Sequence, residues 1–459
     1  MLPTLQYVQS GSATSLHIAS ESAEALAARF GTPLYVYSQP AFEAAFARLK
    51  SAFSSVSPLL CYALKASGNI HILRKLADMG AGMDVVSGGE LERAWLSGVP
   101  MDHIVFAGVG KTRVEIAAAL SGKHSLLGTE ARGRNGESVT TRGPVGLFNI
   151  ESEGEARRIA EVASELNIVA RGCIRVNPNV DAHTHKYTTT GKSENKFGID
   201  LARVAELFDE LRGVPGIQLV GIHMHLGSPI ASAAPYAEAI SAITPLLDRL
   251  QSSGHPISVL NIGGGYGINY GLSAPQNAEE FGAALCPLLT PLVARGIRIV
   301  LEPGRSIIAQ AGVLLTRVQY VKQGQAKRFV ICDAGMHTLI RPALYQAYHF
   351  IWPVSPRGGH TPTDMKPVPP AAGLEACDVV GPICESSDFL ATDRVMPRVE
   401  PDDLLAVFCA GAYGMSMSFN YNDHPRPAEV LVGPDGPRLI RSRQTQMQLV
   451  INELEQSSQ

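Results

Sequence analysis

The chain has 459 residues, more than one ordinary domain needs, and this length allows about two or three. Hydrophobic residues make up 45% and charged residues 18%, enough for a substantial core, while a net charge of −3 leaves no electrostatic footprint for nucleic acid or an anionic membrane. No apolar run reaches the ~18 residues that span a bilayer, no secretory leader is visible, and the seven cysteines form no Cys-x-x-Cys pair, so a cytoplasmic protein acting on small molecules is expected.

In the first 40 residues the apolar stretch Thr32-Pro33-Leu34-Tyr35-Val36-Tyr37 reads as a strand that a later β domain can take up. From about residue 59 to 305 short β-branched runs alternate with longer amphipathic segments, the pattern of a parallel sheet with crossover helices. The expected strands are Leu59 to Lys65, Gly82 to Ser87, Ile104 to Gly108, Gly146 to Glu151, Gly172 to Asn177, Gly221 to Gly227, Val259 to Gly265 and Ile297 to Glu302. Between them, Asn69 to Met79 and Glu90 to Ser97 are each followed by a glycine that can end a helix, Gly80 and Gly98. Ser152-Glu153-Gly154-Glu155 has capping-box spacing before a helix over Ala156 to Leu166. Eight strand-and-helix units in about 250 residues match a TIM (β/α)8 barrel, with a doubly wound open sheet as the alternative.

Residues 121 to 145 are polar and glycine-rich, long for a helix-to-strand connection, and read as a surface insertion. Past Arg305 the helical period gives way to alternating runs at Val313 to Val321, Arg328 to Asp333 and Leu404 to Phe408, while the proline-rich stretch 353 to 373 reads as irregular. The expected organisation is a segment 1–40 contributing to the β domain, a barrel over 41–305, and an antiparallel β-sandwich or barrel-like domain over 306–459.

Chemistry in such barrels sits at the C-terminal ends of the strands. There the sequence places Lys65, then His223-Met224-His225-Leu226-Gly227-Ser228, then Asn261-Ile262-Gly263-Gly264-Gly265, then Glu302-Pro303-Gly304-Arg305. Each has a plain structural explanation: a snorkelling lysine, satisfied core histidines or a metal pair, a glycine turn. Together they fit one cofactor. A lysine amine can hold an aldehyde as a Schiff base, glycine amides with Ser228 can surround a phosphate, an acid such as Glu302 can keep a pyridine nitrogen protonated, and His225 can stack on the ring. Pyridoxal 5'-phosphate uses all four.

Eight motifs in order carry a family resemblance: Tyr62-Ala63-Leu64-Lys65-Ala66, Asp84-Val85-Val86-Ser87-Gly88-Gly89-Glu90-Leu91, the His223 to Ser228 run, the triple glycine, Glu302-Pro303-Gly304-Arg305, Arg341-Pro342-Ala343-Leu344-Tyr345, Cys384-Glu385-Ser386-Ser387-Asp388 and Ala410-Gly411-Ala412-Tyr413-Gly414. Over nearly its whole length the chain resembles the group IV, fold type III pyridoxal phosphate decarboxylases, within them the diaminopimelate decarboxylase group. The resemblance implies decarboxylation of meso-2,6-diaminopimelate to L-lysine and carbon dioxide. It implies that Lys65 carries the cofactor, Glu302 meets its pyridine nitrogen and His225 stacks on it, with Ser228, Gly265, Gly304 and Tyr413 holding the phosphate and Gly264, Pro303 and Arg305 also binding the cofactor. Arg305, Arg341, Tyr345, Glu385 and Tyr413 are implied to bind the substrate, and Cys384 to return the proton from the partner subunit of a homodimer with shared sites.

Two guanidiniums suit a substrate that keeps one carboxylate after losing the other. Ser67 and Pro229 depart from the family pattern, which leaves room for a related decarboxylase acting on another diamino or carrier-bound amino acid. A metal-dependent hydrolase built on His223-x-His225 and a non-catalytic cofactor carrier are the rivals from other classes.

Overall fold

The computed structural model describes residues 4–11, 13–122, 143–181 and 196–454. The insertion expected at 121 to 145 falls mainly on 123–142, outside the described residues. The chain divides into two compact units, one of Phe46–Gly267 with Pro275–Ser306, the other of Met1–Ala45, Ile268–Ala274 and Ile307–Gln459. No helix among the described residues is long and apolar enough to cross a membrane.

The first unit is a closed barrel. Its parallel strands are Leu59–Ala63, Gly82–Val85, Ile104–Phe106, Leu147–Ile150, Ala170–Asn177, Ile217–His223, Val259–Asn261 and Arg298–Leu301, one for each strand the sequence predicts. Pairing of the eighth with the first, Val300 opposite Leu59, and of the fourth with the fifth, Phe148 opposite Gly172, closes the circle and removes the open-sheet alternative. A buried cluster of Leu59, Cys61, Val105, Leu147, Cys173, Val220, Val259 and Val300 fills the interior. Several of these open their strands, so the apolar filling lies towards the N-terminal ends. Polar residues take the other rim, where Asp84 pairs with Ala63, His223 with Arg175 and Asn261, and Asn261 with Val300.

The helices begin where the sequence marks them. Asn69 caps Ile70–Asp78 by accepting from the His71 N–H at 3.0 Å, and Ser87 caps Gly88–Ser97, which ends on Gly98 at φ +85°. Ser152 caps Glu153–Glu165, but only half of the expected box forms. Glu155 accepts from the Glu151 N–H at 3.0 Å and from Lys111 Nζ at 2.6 Å rather than reaching back to Ser152, because a buried ammonium beside it is the stronger attraction.

The second unit holds a small antiparallel sheet, Leu5–Ser10, Ala13–Ile18 and Glu21–Ser22, and a nine-stranded sheet. At the centre of the larger sheet Gly312–Gln323 pairs antiparallel with Arg328–Cys332, Leu404–Val407 and the N-terminal strand Leu34–Ser38. The sheet is mostly antiparallel, with two parallel pairs: Arg328–Cys332 with Leu374–Val380, and Ala428–Gly433 with Leu34–Ser38. The proline-rich stretch after Ile351–Pro353 contains only a short 3-10 turn before the strand at Leu374.

Barrel closure demands glycine where neighbouring strands approach. A Cβ at Gly221, inside the sixth strand, would lie 2.0 Å from the Val259 carbonyl oxygen and 2.9 Å from Cys173 Sγ. Gly221→Val is therefore expected to destabilise the protein by about 1–3 kcal/mol or more through overpacking, read as a lowered midpoint in urea denaturation.

Candidate active site

The first strand is buried along its whole length and releases the chain into a turn, on which Lys65 stands. The Lys65 side chain is 37% exposed, whereas Asp84, in the neighbouring strand, is fully buried; Nζ and Oδ2 are 3.2 Å apart. Burial pushes the Asp84 carboxyl up to about 6, against the pull of the Lys65 ammonium. Its other oxygen, Oδ1, is buried without a hydrogen-bond partner among the described residues. The result is an amine at a solvent-reachable rim, held from below by an acid that has no other strong partner.

Glu302 follows the eighth strand and is buried. Its Oε1 accepts from Asn149 Nδ2 at 2.7 Å and from Asn261 Nδ2 at 2.6 Å, while Oε2 lies 3.4 Å from His223 Nε2. Burial alone would raise this carboxyl, but His223 and then Lys65 outweigh it and hold it well below the usual carboxylate range. The Asn261 amide cannot be turned round, because its Oδ1 accepts the Gly263 N–H at 2.9 Å. One side chain thus joins the anion to the start of the glycine run.

The two histidines of the sixth strand differ in use. His225 Nδ1 accepts the Gly264 N–H at 3.2 Å, and burial, followed by the charges of Lys65 and Arg175, keeps the imidazole pKa well below 6.5. It is a neutral ring with its proton on Nε2, suited to stacking. His223 is buried with neither ring nitrogen in a hydrogen bond among the described residues. Arg175 sits in an ion pair with Glu151 at 2.8 Å and donates to the His225 carbonyl at 3.4 Å.

The glycines at 263 to 265 serve close packing as well as any ligand. A Cβ at Gly264 would meet the Glu302 carbonyl at 1.9 Å, and one at Gly265, where φ is +108°, would meet that of Gly227 at 2.1 Å. Tyr236 Oη donates to the Gly264 carbonyl at 2.6 Å and fixes the run from outside. Arg305 Nε donates to Ser228 Oγ at 3.1 Å, and Gly304 packs against Ala63 and Ala66, close to Lys65 in sequence. Barrel closure therefore brings Lys65, His225, Ser228, Gly264, Gly265, Glu302, Pro303, Gly304 and Arg305 to one rim.

The remaining predicted residues belong to the other unit. Arg341 is buried at the start of the short helix Arg341–Tyr345, which also carries the half-buried Tyr345. Cys384 and Glu385 are exposed; the Cys384 N–H is taken by Asn422 Oδ1 at 3.0 Å, and hydrogen bonds from Ser387 and Tyr421 hold the Glu385 carboxyl below its usual range. Tyr413 adopts φ +57°. Sequence reasoning gave no role to Asn149, Asn261 or Asp84, and read His223 only as half of a His-x-His pair, a metal pair or a core histidine. Of the first three only Asp84, an acid inside an apolar strand, leaves a visible signal.

Residues 40–309 match the family described as pyridoxal-dependent decarboxylase, pyridoxal binding domain. A diaminopimelate decarboxylase of Neisseria meningitidis is 42% identical over 429 residues, 94% of this chain and 96% of that protein. This chain belongs to the pyridoxal-dependent decarboxylases. One diaminopimelate decarboxylase of Aquifex aeolicus is 41% identical over 94% of this chain and 93% of its own length. The crystal structure of diaminopimelate decarboxylase from M. jannaschii in co-complex with L-lysine superposes with a TM-score of 0.84 at 34% identity, covering 98% of each chain. A lysine/ornithine decarboxylase of Vibrio vulnificus, at 21% identity and a TM-score of 0.72, shares the fold.

Pyridoxal phosphate is the cofactor of this decarboxylase family, and the rim fits it: an amine for the aldehyde, a buried anion for the pyridine nitrogen, a neutral imidazole for the ring face, and beside them the buried oxygen Asp84 Oδ1, which has no hydrogen-bond partner among the described residues. A metal centre on His223 and His225 gains no support, since no cluster of three possible ligands occurs among the described residues.

Two outcomes follow from these contacts. Asn149→Leu removes one of two amide donors to a buried anion and is expected to cost about 1.5–3 kcal/mol, seen in urea denaturation of the apoprotein. In the Lys65→Ala apoprotein the folded Asp84 carboxyl loses its counter-charge and rises further above its unfolded value. The folded chain then binds a proton that the unfolded chain releases, so the variant should gain stability relative to the parent as pH falls from about 8 towards 4. Thermal midpoints across that range check the sign.

Proposed function

We propose that this chain removes the carboxylate at the D-centre of meso-2,6-diaminopimelate and returns a proton to the same carbon, giving L-lysine and carbon dioxide. The observation that carries the reading is the rim itself, with Lys65 over buried Asp84 and the amide-capped Glu302 anion, in a chain about 40% identical over its length to diaminopimelate decarboxylases. Pyridoxal phosphate, when bound, supplies the electron sink that accepts the pair left by the departing carboxylate.

The protein's own residues do the rest. Lys65 would hold the cofactor through its aldehyde, and Asp84 Oδ2, 3.2 Å from Nζ, would steady that amine when it is free. Glu302 would keep a proton on the pyridine nitrogen, a role that its depressed pKa supports, and neutral His225 would cover the ring face. Ser228, Gly265, Gly304 and Tyr413 would hold the phosphate, with Gly264, Pro303 and Arg305 also against the cofactor. Arg305 and Arg341 take the carboxylate that is kept, Tyr345 and Tyr413 line the substrate, and Glu385 takes the distal ammonium. Cys384 Sγ returns the proton, and we assign it to the active site of a second copy in a homodimer. Exposure of Cys384 and Glu385 in the single chain supports that assignment. Seven free thiols support a reducing, cytoplasmic setting.

Incubation of the cofactor-loaded protein with meso-diaminopimelate is expected to yield L-lysine and carbon dioxide, while lysine, ornithine and arginine are turned over far more slowly. Equal turnover of ornithine would overturn the substrate assignment. Borohydride treatment and peptide mapping should find the pyridoxyl label on Lys65, and Lys65→Ala should carry none and fall to background activity. Cys384→Ala is expected to lower kcat by about 10²–10⁴-fold, the usual worth of a positioned acid, with cofactor absorbance retained.

A further inference from the structure

We propose that His349, backed by Tyr270, is a positioning residue that sets the Arg341 guanidinium for the substrate carboxylate that is not lost. The inference rests on the reading of Arg341 as a carboxylate ligand. Arg341 Nη1 lies 2.7 Å from His349 Nε2, and His349 Nδ1 lies 2.8 Å from the Phe408 carbonyl oxygen. A carbonyl only accepts, so Nδ1 carries the proton and Nε2 is left as the acceptor for the guanidinium. A neutral imidazole is thereby fixed in one tautomer, with its acceptor turned to the arginine.

The ring that does this is itself anchored. His349 is fully buried, Arg394 Nη1 donates to its carbonyl at 2.8 Å, and Tyr270 packs against the imidazole edge-on with centroids 5.5 Å apart. The same Tyr270 ring lies under the Arg341 guanidinium, 4.8 Å from its centroid. The aromatic face sets the plane of the guanidinium and the hydrogen bond sets its rotation within that plane. An arginine chain has several rotatable bonds, so ordering it before substrate arrives removes an entropic cost from binding. A planar fork also needs its orientation fixed to grip a carboxylate through two parallel hydrogen bonds.

The test compares two ligands of the cofactor-loaded enzyme that differ by one carboxylate, L-lysine and 1,5-diaminopentane, together with KM and kcat for meso-diaminopimelate. His349→Leu is expected to weaken L-lysine binding and raise KM by about 10-fold, the worth of one lost orienting hydrogen bond. Binding of 1,5-diaminopentane should be unchanged and kcat should move less than KM. His349→Gln, which keeps an acceptor, should recover most of the loss. Tyr270→Leu should reproduce the selective loss if His349→Leu does not fold. An Arg341→Ala control separates the two readings: if it loses L-lysine binding while the His349 and Tyr270 variants do not, or if those variants weaken both ligands equally, the positioning role is overturned. If Arg341→Ala leaves L-lysine binding intact, the assignment of Arg341 itself falls, and this inference with it.

Discussion

A carboxylate that stays ionised inside a closed barrel is the constraint on which this site depends. Glu302 is buried, and an isolated anion there would neutralise or unfold its surroundings. It survives because two strands contribute an asparagine amide to the same oxygen and a third contributes His223 beside the other. Asn149, Asn261 and Glu302 are separated by 112 and 41 residues, so only strand closure can bring them together. The anion therefore reports on the integrity of the barrel as much as it equips the site.

The rim treats its two acids differently. Asp84 has a single lysine partner and a buried oxygen with none, so burial dominates and its carboxyl is pushed upward. Glu302 has donors on one side and an imidazole on the other, so it is held down. Two carboxylates in one electrostatic cluster thus take opposite protonation tendencies, set by what each has beside it. The glycine run joins the two functions of the seventh strand. Its lack of side chains lets the Glu302 and Gly227 backbones approach closely, and its N–H groups orient Asn261 and His225. A larger residue there would disturb the acid, the His225 imidazole and the turn together.

Much of the architecture is legible in the chain because its signals are local. β-Branched runs, a cap residue at each helix start and a glycine past the end mark strand and helix without reference to distant residues. All eight barrel strands were visible in this way. Where the outcome was decided by a neighbour, the local reading was incomplete. Glu155 turned to Lys111 instead of closing its box, and two strand pairs in the second unit run parallel.

The same division holds at the site. Lys65, His225, Ser228 and Glu302 stand out in sequence because their residue types at strand ends suggest chemistry, and the motifs around them made the family resemblance readable. Asn149, Asn261 and His349 did not stand out, since an asparagine in a strand or a histidine in an apolar run says nothing about which distant group it will touch. Their roles come from pairing and burial: a hydrogen bond counts for little until water is excluded and its partner is fixed opposite. The amino acids alone determined which groups can react. Folding decided which of them are neutral, charged, braced or left without a partner, because those properties belong to distances between residues far apart in the chain.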